Sequence, residues 1–346
     1  MKKLASIATI SIMLAIMATS IVPVSPVSAA TVTFRPSGDV TIGLTGSDLD
    51  QIDNYLLVNE ATSDGDGTYV NCTANTTTFE EDLYNLSDTT SAPGKINSVT
   101  VWINAKVTKV GAASAHTRIT TNTGTYDGVE ETLTTSYATY STAYTTNPQS
   151  GNEWTWGEIN ALQAGVGALK ATGGSVTICT QVYVVVDYTP ATLESYKTVA
   201  HSIIWGTEAD PYAAETDTTT AFIYGPNFTA SHGYNVGYYD DGGAKAISHG
   251  VTSAADNTLS SQYILTTDPG AQAGIWHAVA FDNDLGSPPN TYAECSGAAG
   301  YVVEDSFKVL QSAIPEFPTI FAAIGVAGLC FGIYWWMRKR AKLRAG

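Results

Sequence analysis

Residues 96–110 read INSVTVWINAKVTKV. Val99, Val101, Ile103, Ala105 and Val107 fall at every second position, and Thr100, Trp102, Asn104, Lys106 and Thr108 lie between them. A period of two is that of a β-strand with one buried face. Outward from this stretch, between residues 31 and 315, no long helical pattern occurs. Short β-branched and aromatic runs alternate instead with Gly, Asp, Asn and Pro, the punctuation of an all-β chain. Val182-Tyr183-Val184-Val185-Val186-Asp187-Tyr188 is a second strong strand.

One helix is expected to interrupt the strands. Thr155-Trp156-Gly157-Glu158 has the T-x-x-E form, in which hydroxyl and carboxylate each satisfy a free backbone N–H. Ile159, Leu162 and Val166 follow at helical spacing, with Gly165 as a stop. Such a helix would plug one end of a β-sandwich. Tyr188-Thr189-Pro190-Ala191-Thr192 then ends a first unit over 31–190. A second unit over 198–312 has strands centred on 219–224, 234–239, 262–266, 274–281 and 306–310, with a hairpin turn at Tyr239-Asp240-Asp241-Gly242-Gly243-Ala244. About seven short strands in roughly 115 residues suit an immunoglobulin-like sandwich.

The ends place the chain. Lys2 and Lys3 precede an apolar run from Leu4 to Ile21, and Val27-Ser28-Ala29 or Ser28-Ala29-Ala30 offers a small-residue cleavage site. Residues 1–30 thus read as a signal peptide. At the other end, residues 320–337 carry no charge and are just long enough for a transmembrane helix. Tyr334, Trp335 and Trp336 suit the headgroup layer, and Arg338, Lys339, Arg340, Lys342 and Arg344 hold that end in the cytoplasm. The bulk of the chain is therefore expected outside the cell, anchored to the membrane. Of 346 residues, 32 are acidic and 16 basic, and seven of the bases sit in these two end segments. The acidic remainder repels phosphates, which excludes a nucleic-acid partner.

Pro315-Glu316-Phe317-Pro318-Thr319, followed by the apolar helix and the basic tail, resembles the archaeal PEF-CTERM sorting signal over residues 314–346. The resemblance implies a surface protein that meets the export machinery and then an archaeosortase-type processing enzyme. That enzyme would remove the helix and leave the chain held by a lipid or another attachment. A second resemblance covers 31–190. It rests on Asp64-Gly65-Asp66-Gly67-Thr68-Tyr69-Val70, Leu133–Tyr140, Asn147-Pro148, Trp154–Val166 and Thr180-Gln181-Val182-Tyr183-Val184, in that order. The pattern resembles a jelly-roll module of phage and prokaryotic surface proteins, and implies an exposed structural or binding module. The second unit is similar, through Gly274–Val279 and Asp305–Val309, to β-domains that precede PEF-CTERM tails. The expected fold class is therefore all-β: a jelly-roll-like sandwich with one short helix, an immunoglobulin-like sandwich, and a C-terminal transmembrane helix.

Catalytic signatures are sparse. There is no G-x-S-x-G and no H-E-x-x-H among His116, His201, His232, His249 and His277. Paired carboxylates can hydrolyse glycosides when held about 5–9 Å apart, but in a chain this acidic such pairs arise by chance. Calcium is the better cofactor candidate, because hard cations want several oxygens on a turning backbone. Asp64 and Asp66 lie among glycines, near Asp48, Asp50 and Asp53 in sequence, and Asp282 and Asp284 form a second cluster. A solvated acidic loop is the plainer reading of both. Glycosylation candidates are Asn71, Asn75, Asn85 and Asn227. Cys72 and Cys179 could form a disulfide closing a loop of about 107 residues, worth roughly 4 kcal/mol. Trp102 either faces a ligand or is covered as core, and core is the favoured reading.

The function expected from these features is non-enzymatic: a structural or adhesion protein of an archaeal envelope. The alternative is an extracellular carbohydrate-binding protein, calcium-dependent or not, with envelope glycans or surface proteins as partners. A glycoside hydrolase is the weakest of the three.

Overall fold

The computed structural model describes residues 28–48, 52–73, 78–110, 113–170, 175–196, 220–265 and 274–309. Most of the signal peptide, Asn75, the sorting motif 315–319 and the apolar segment 320–337 lie outside the described residues. Among the described residues no helix is long and apolar enough to cross a membrane.

The first unit contains β1 (Ala30–Phe34), β2 (Pro36–Thr41), β3 (Thr45–Gly46), β4 (Val70–Cys72), β5 (Glu80–Leu86), β6 (Gly94–Val107), β7 (Ser114–Thr121), β8 (Gly124–Asp127), β9 (Glu131–Thr132), β10 (Ala138–Tyr144), helix α1 (Trp156–Asn160), β11 (Gln163–Leu169) and β12 (Thr177–Pro190). One sheet runs β10-β6-β12-β4-β3, with β1 also on β12; the other runs β2-β5-β11-β7-β8, with β9 also on β7. From β4 onward the chain crosses between the sheets at nearly every step. The orders 4-12-6-10 and 5-11-7-8 are those of a jelly roll. β6 alternates as its sequence dictates, with Val99, Val101, Ile103, Ala105 and Val107 inside. β12 supplies Val182, Val184 and Val186 beside them.

The capping box forms. Thr155 Oγ1 accepts from the Glu158 backbone N–H at 3.1 Å, and Glu158 Oε2 accepts from the Thr155 N–H at 3.0 Å. The helix stops at Asn160, however, earlier than the spacing of Leu162 and Val166 suggests. Gly165 is not a helix stop but a strand residue of β11, where an added Cβ would lie 1.9 Å from the Asp82 carbonyl oxygen. β11 pairs with β5 on one side and β7 on the other, and Gly167 leaves the room that the His116 ring occupies.

The second unit has β13 (Glu194–Tyr196), β14 (Thr220–Gly225), β15 (Gly233–Tyr239), β16 (Lys245–Thr252), β17 (Leu259–Ile264), β18 (Gly274–Asp282) and β19 (Tyr301–Val309). Sheets β13-β14-β17 and β16-β15-β18-β19 reproduce the three-plus-four strand order of an immunoglobulin-like sandwich. Tyr238, Trp276 and Phe307 fill its core. The β15–β16 hairpin turns on Gly243, whose φ of +77° suits glycine.

The two sandwiches share one apolar cluster. Trp154, Trp156 and Ile159, in and beside α1, belong to the same cluster as Phe228 and Tyr234. Polar ties flank it. Lys95 pairs with Glu153 at 2.7 Å, and Glu153 Oε2 accepts from Asn257 Nδ2 at 2.8 Å and from the Ala230 N–H at 3.2 Å. The Gly300 N–H donates to the Thr90 carbonyl at 2.8 Å.

Cys72 and Cys179 carry thiols rather than the disulfide considered from sequence. They lie on adjacent antiparallel strands, but Cys72 is opposite Thr177 and Cys179 is opposite Val70. That offset makes them diagonal neighbours, roughly 7–8 Å apart, beyond ordinary disulfide reach. Both are buried in the apolar core.

Candidate functional site

The outer face of the β10-β6-β12 sheet carries the chain's most distinctive surface chemistry. Alternation turns Thr100, Trp102, Asn104 and Lys106 of β6 outward, each half-buried. Trp102 is opposite Tyr183 of β12 in the ladder, and the two rings are nearly parallel, 6.1 Å between centroids at 6°. The sequence reading favoured core for Trp102; the structure places it half-buried on the outward side of β6, with its indole N–H edge covered. On the other flank Ser141 of β10 stands opposite Trp102. The Arg35 guanidinium lies over the Tyr183 ring, 5.4 Å from its centroid. The Trp102 indole N–H and the Asn104 side-chain oxygen are buried and have no hydrogen-bond partner among the described residues.

The loop of residues 59–68 bounds this face. Arg35 donates to the carbonyls of Glu60 and Ala61, and Gln181 Nε2 donates to Glu60 O at 2.6 Å. Asp64 and Asp66, weighed from sequence as calcium candidates against a solvated acidic loop, hold the loop down. Asp64 accepts from Thr68 at 3.1 Å and from Thr180 at 3.2 Å. Asp66 Oδ1 pairs with Lys106 at 2.6 Å and accepts from Tyr137 at 2.9 Å. The Lys106 hydrogen bond, with that of Tyr137, keeps the Asp66 carboxyl below the usual range. With Lys106 already seated there, the pair does not form a cation cage. Lys106 also sits 4.4 Å from the Tyr137 ring centroid.

Asp282 and Asp284 do come together, and with a residue the sequence reading left out of its clusters. His232 Nε2 lies 3.0 Å from Asp282 Oδ1, and one ligand atom from each of His232, Asp282 and Asp284 falls within 4.8 Å of the others. Asp282 is fully buried. Burial, the largest influence on His232, pushes its pKa down. The hydrogen bond to Asp282 and the charges of Asp282, Asp284 and Glu158 outweigh it, and the net shift is upward. His232 is fifty residues from Asp282, and only the pairing of β15 with β18 brings them together.

A third group joins Glu81, His116 and Asp127. Here Arg118 reaches both carboxylates, donating to Glu81 Oε2 and, through Nε, to Asp127 Oδ1 at 2.6 Å. A guanidinium thus takes the place a cation would fill. Burial pushes the His116 pKa down despite Asp127 beside it.

The glycan acceptors separate clearly. Asn85 is exposed on β5. Asn71 is buried in β4, so a sugar cannot be attached to it in the folded chain. Asn227 is half-buried, with a φ of +65°, and its Nδ2, the atom a glycan would occupy, donates to the Pro190 carbonyl at 3.2 Å.

A cavity of about 650 Å³ opens between β16 and β17, lined by Phe222, Ile247, His249, Val251 and Ser261 among others. Tyr263 at its wall is buried and packed on Tyr238 and Trp276, so it offers no free ring face to the cavity.

No family model matches the chain, and no curated protein matches it. Solved structures give faint likenesses. The glycoside hydrolase domain of Endo-D from Streptococcus pneumoniae R6 aligns at 6% identity and a TM-score of 0.21, over 81% of this chain and 37% of that one. A β-1,2-glucanase from Parabacteroides distasonis aligns at 11% identity and 0.23, over 82% and 37%. The tandem CBM22 domains of Paenibacillus barcinonensis Xyn10C align at 8% identity and 0.25, over 80% and 92%. The chain thus spans under two fifths of the first two. Scores of this size carry no argument, and the fold rests on the strand orders above.

Proposed function

We propose that this chain is an exported, non-enzymatic surface protein that adheres to saccharides through the outer face of its jelly roll. The observation that carries the reading is the Trp102–Tyr183 ring pair on the solvent side of a polar sheet. Aromatic faces take up the C–H-rich faces of sugars, while polar-tipped neighbours reach the hydroxyls. Thr100 and the exposed Ser141 border the rings and supply such groups, while Arg35 lies over the Tyr183 ring. A rigid sheet presenting the site suits a binding module, since little ordering is needed on contact.

The signal peptide, the apolar C-terminal segment and its basic tail support an extracellular location with membrane anchoring, and the PEF-CTERM-like tail supports processing by an archaeosortase-type enzyme. Four carboxylates are already engaged and are unsuited to paired-acid hydrolysis: Glu81 and Asp127 are held by Arg118, Glu153 by Lys95, and Glu158 is engaged in capping. A glycan array probed with the full chain in detergent tests the reading: binding to at least one oligosaccharide class is expected, and an array without signal overturns it.

A further inference from the structure

We propose that His232, Asp282 and Asp284 bind one divalent cation of the zinc type at the seam between the two sandwiches. This goes beyond the saccharide reading and does not depend on it. Asp282 closes β18, and its carboxylate is wholly buried. Oδ1 accepts from the Asp284 backbone N–H at 2.9 Å and meets His232 Nε2 at 3.0 Å, whereas Oδ2 is buried with no donor at all. A buried carboxylate oxygen left without a partner is costly, and native structures rarely keep one without a ligand, ion or water to satisfy it.

The donor set identifies the class of ion. Calcium takes six to eight oxygens, and the calcium expectation for Asp282 and Asp284 came from their carboxylates alone. An imidazole nitrogen with two carboxylates suits a four-coordinate ion that keeps its last position for water. Ligand bonds of about 2.0–2.1 Å at a tetrahedral angle separate neighbouring donors by roughly 3.3 Å. His232 Nε2 and Asp282 Oδ1, hydrogen-bonded at 3.0 Å, are already close to that span, and the unsatisfied Oδ2 belongs to the same carboxylate.

The scaffold holds His232 in place, while Asp284 is exposed. The His232 N–H donates to Ser253 Oγ at 3.0 Å, the Ser253 N–H donates to the His232 carbonyl at 2.9 Å, and the imidazole meets the Tyr234 ring edge-on at 5.0 Å. Asp284 sits in the turn after β18, with its side chain against the first unit: a Cβ on Gly157 of α1 would lie 2.9 Å from Asp284 Oδ2. The Glu81–His116–Asp127 group lacks the vacancy, because Arg118 already bridges its carboxylates.

The test uses the untagged full chain in detergent, stripped with EDTA. Zinc and calcium are titrated separately, with bound metal measured after gel filtration and melting followed by calorimetry. One zinc per chain is expected, with a rise in melting temperature and no comparable effect of calcium. Cobalt should give visible absorption of a four-coordinate nitrogen–oxygen site. Asp284→Asn and His232→Gln should each reduce zinc affinity at least tenfold. Asp284 is in a turn, so its variant keeps the fold even if His232→Gln is destabilised. The proposal is overturned if the wild-type chain takes up no zinc at 100-fold excess, if uptake is unchanged in Asp284→Asn, or if calcium binds in preference.

Discussion

Trp156→Phe probes the seam between the sandwiches most sharply. Trp156 is 1% exposed, its indole Nε1 donates to the Gly94 carbonyl at 2.7 Å, and Tyr188 packs edge-on to it at 5.5 Å. Gly94 stands opposite Pro190 in the β6–β12 ladder, and the Ala191 N–H donates to the neighbouring Pro93 carbonyl at 2.9 Å. By antiparallel alternation 94/190 is then a non-hydrogen-bonded pair, so the Gly94 carbonyl points away from β12 and the indole supplies its donor. Phenylalanine keeps most of the apolar bulk but leaves that carbonyl buried and unsatisfied, at about 1–3 kcal/mol. The missing ring atoms leave a small void worth about 1 kcal/mol more. The sum, about 2–4 kcal/mol, corresponds to a drop of roughly 5–15 °C in melting temperature for a chain of this size. Scanning calorimetry on the full chain measures it. Because Trp156 belongs to a cluster containing residues of both sandwiches, a single transition should move as a whole. A shift under about 2 °C would refute the hydrogen-bond argument, and movement of only one of two resolved transitions would refute the shared core.

Three further outcomes rest on the geometry and a fourth on the sequence of the N-terminal segment. Glu153→Gln should cost about 1 kcal/mol or less, since the Lys95–Glu153 pair is partly exposed. Burial, the largest influence, raises the Glu153 pKa, but Lys95, Asn257 and the Ala230 N–H outweigh it and the net shift is down from 4.5. Its contribution is thus present above pH 4.5 and lost as the pH falls through the depressed folded value, so wild type and variant should converge in acid denaturation curves. Cys72 and Cys179, whose thiols burial pushes up to about 12, should resist iodoacetamide in the folded chain and both react after unfolding without reductant. A disulfide would instead leave them unreactive in the unfolded chain. Peptide mass spectrometry of the native protein should find glycan on Asn85 before Asn71 or Asn227, and a modified Asn71 would contradict the burial of β4. The mature N-terminus should lie near residue 30, and a chain retaining Met1 in the cytosol would overturn the export reading.

How far the sequence was legible depends on whether a feature is local. The alternation in β6 and the T-x-x-E box at α1 are written in adjacent residues, and both form as read. The extent of the helix was misjudged because Leu162 and Val166 fit a helical period by coincidence. What decides their state is the close approach of β5 to Gly165, a contact across the sheet. β16 went unread because its residues are mostly exposed and carry little apolar alternation. The acidic clusters show the same divide. Asp64 and Asp66 look like a cation loop until Lys106 and Thr180, distant in sequence, arrive beside them. Asp282 and Asp284 gain His232 only through strand pairing. Trp102 was placed on its face by periodicity, but its stacking on Tyr183 and its half-burial come from the sheet order.

The most direct test of the saccharide reading is a calorimetric titration of the best glycan from the array against the wild-type chain and Trp102→Ala. Removing one ring of a two-ring platform should cost about 1.4–2 kcal/mol of binding, a weakening of roughly 10–30-fold, while the fold is retained by circular dichroism. Affinity unchanged within twofold in Trp102→Ala, and again in Tyr183→Ala, would contradict the account.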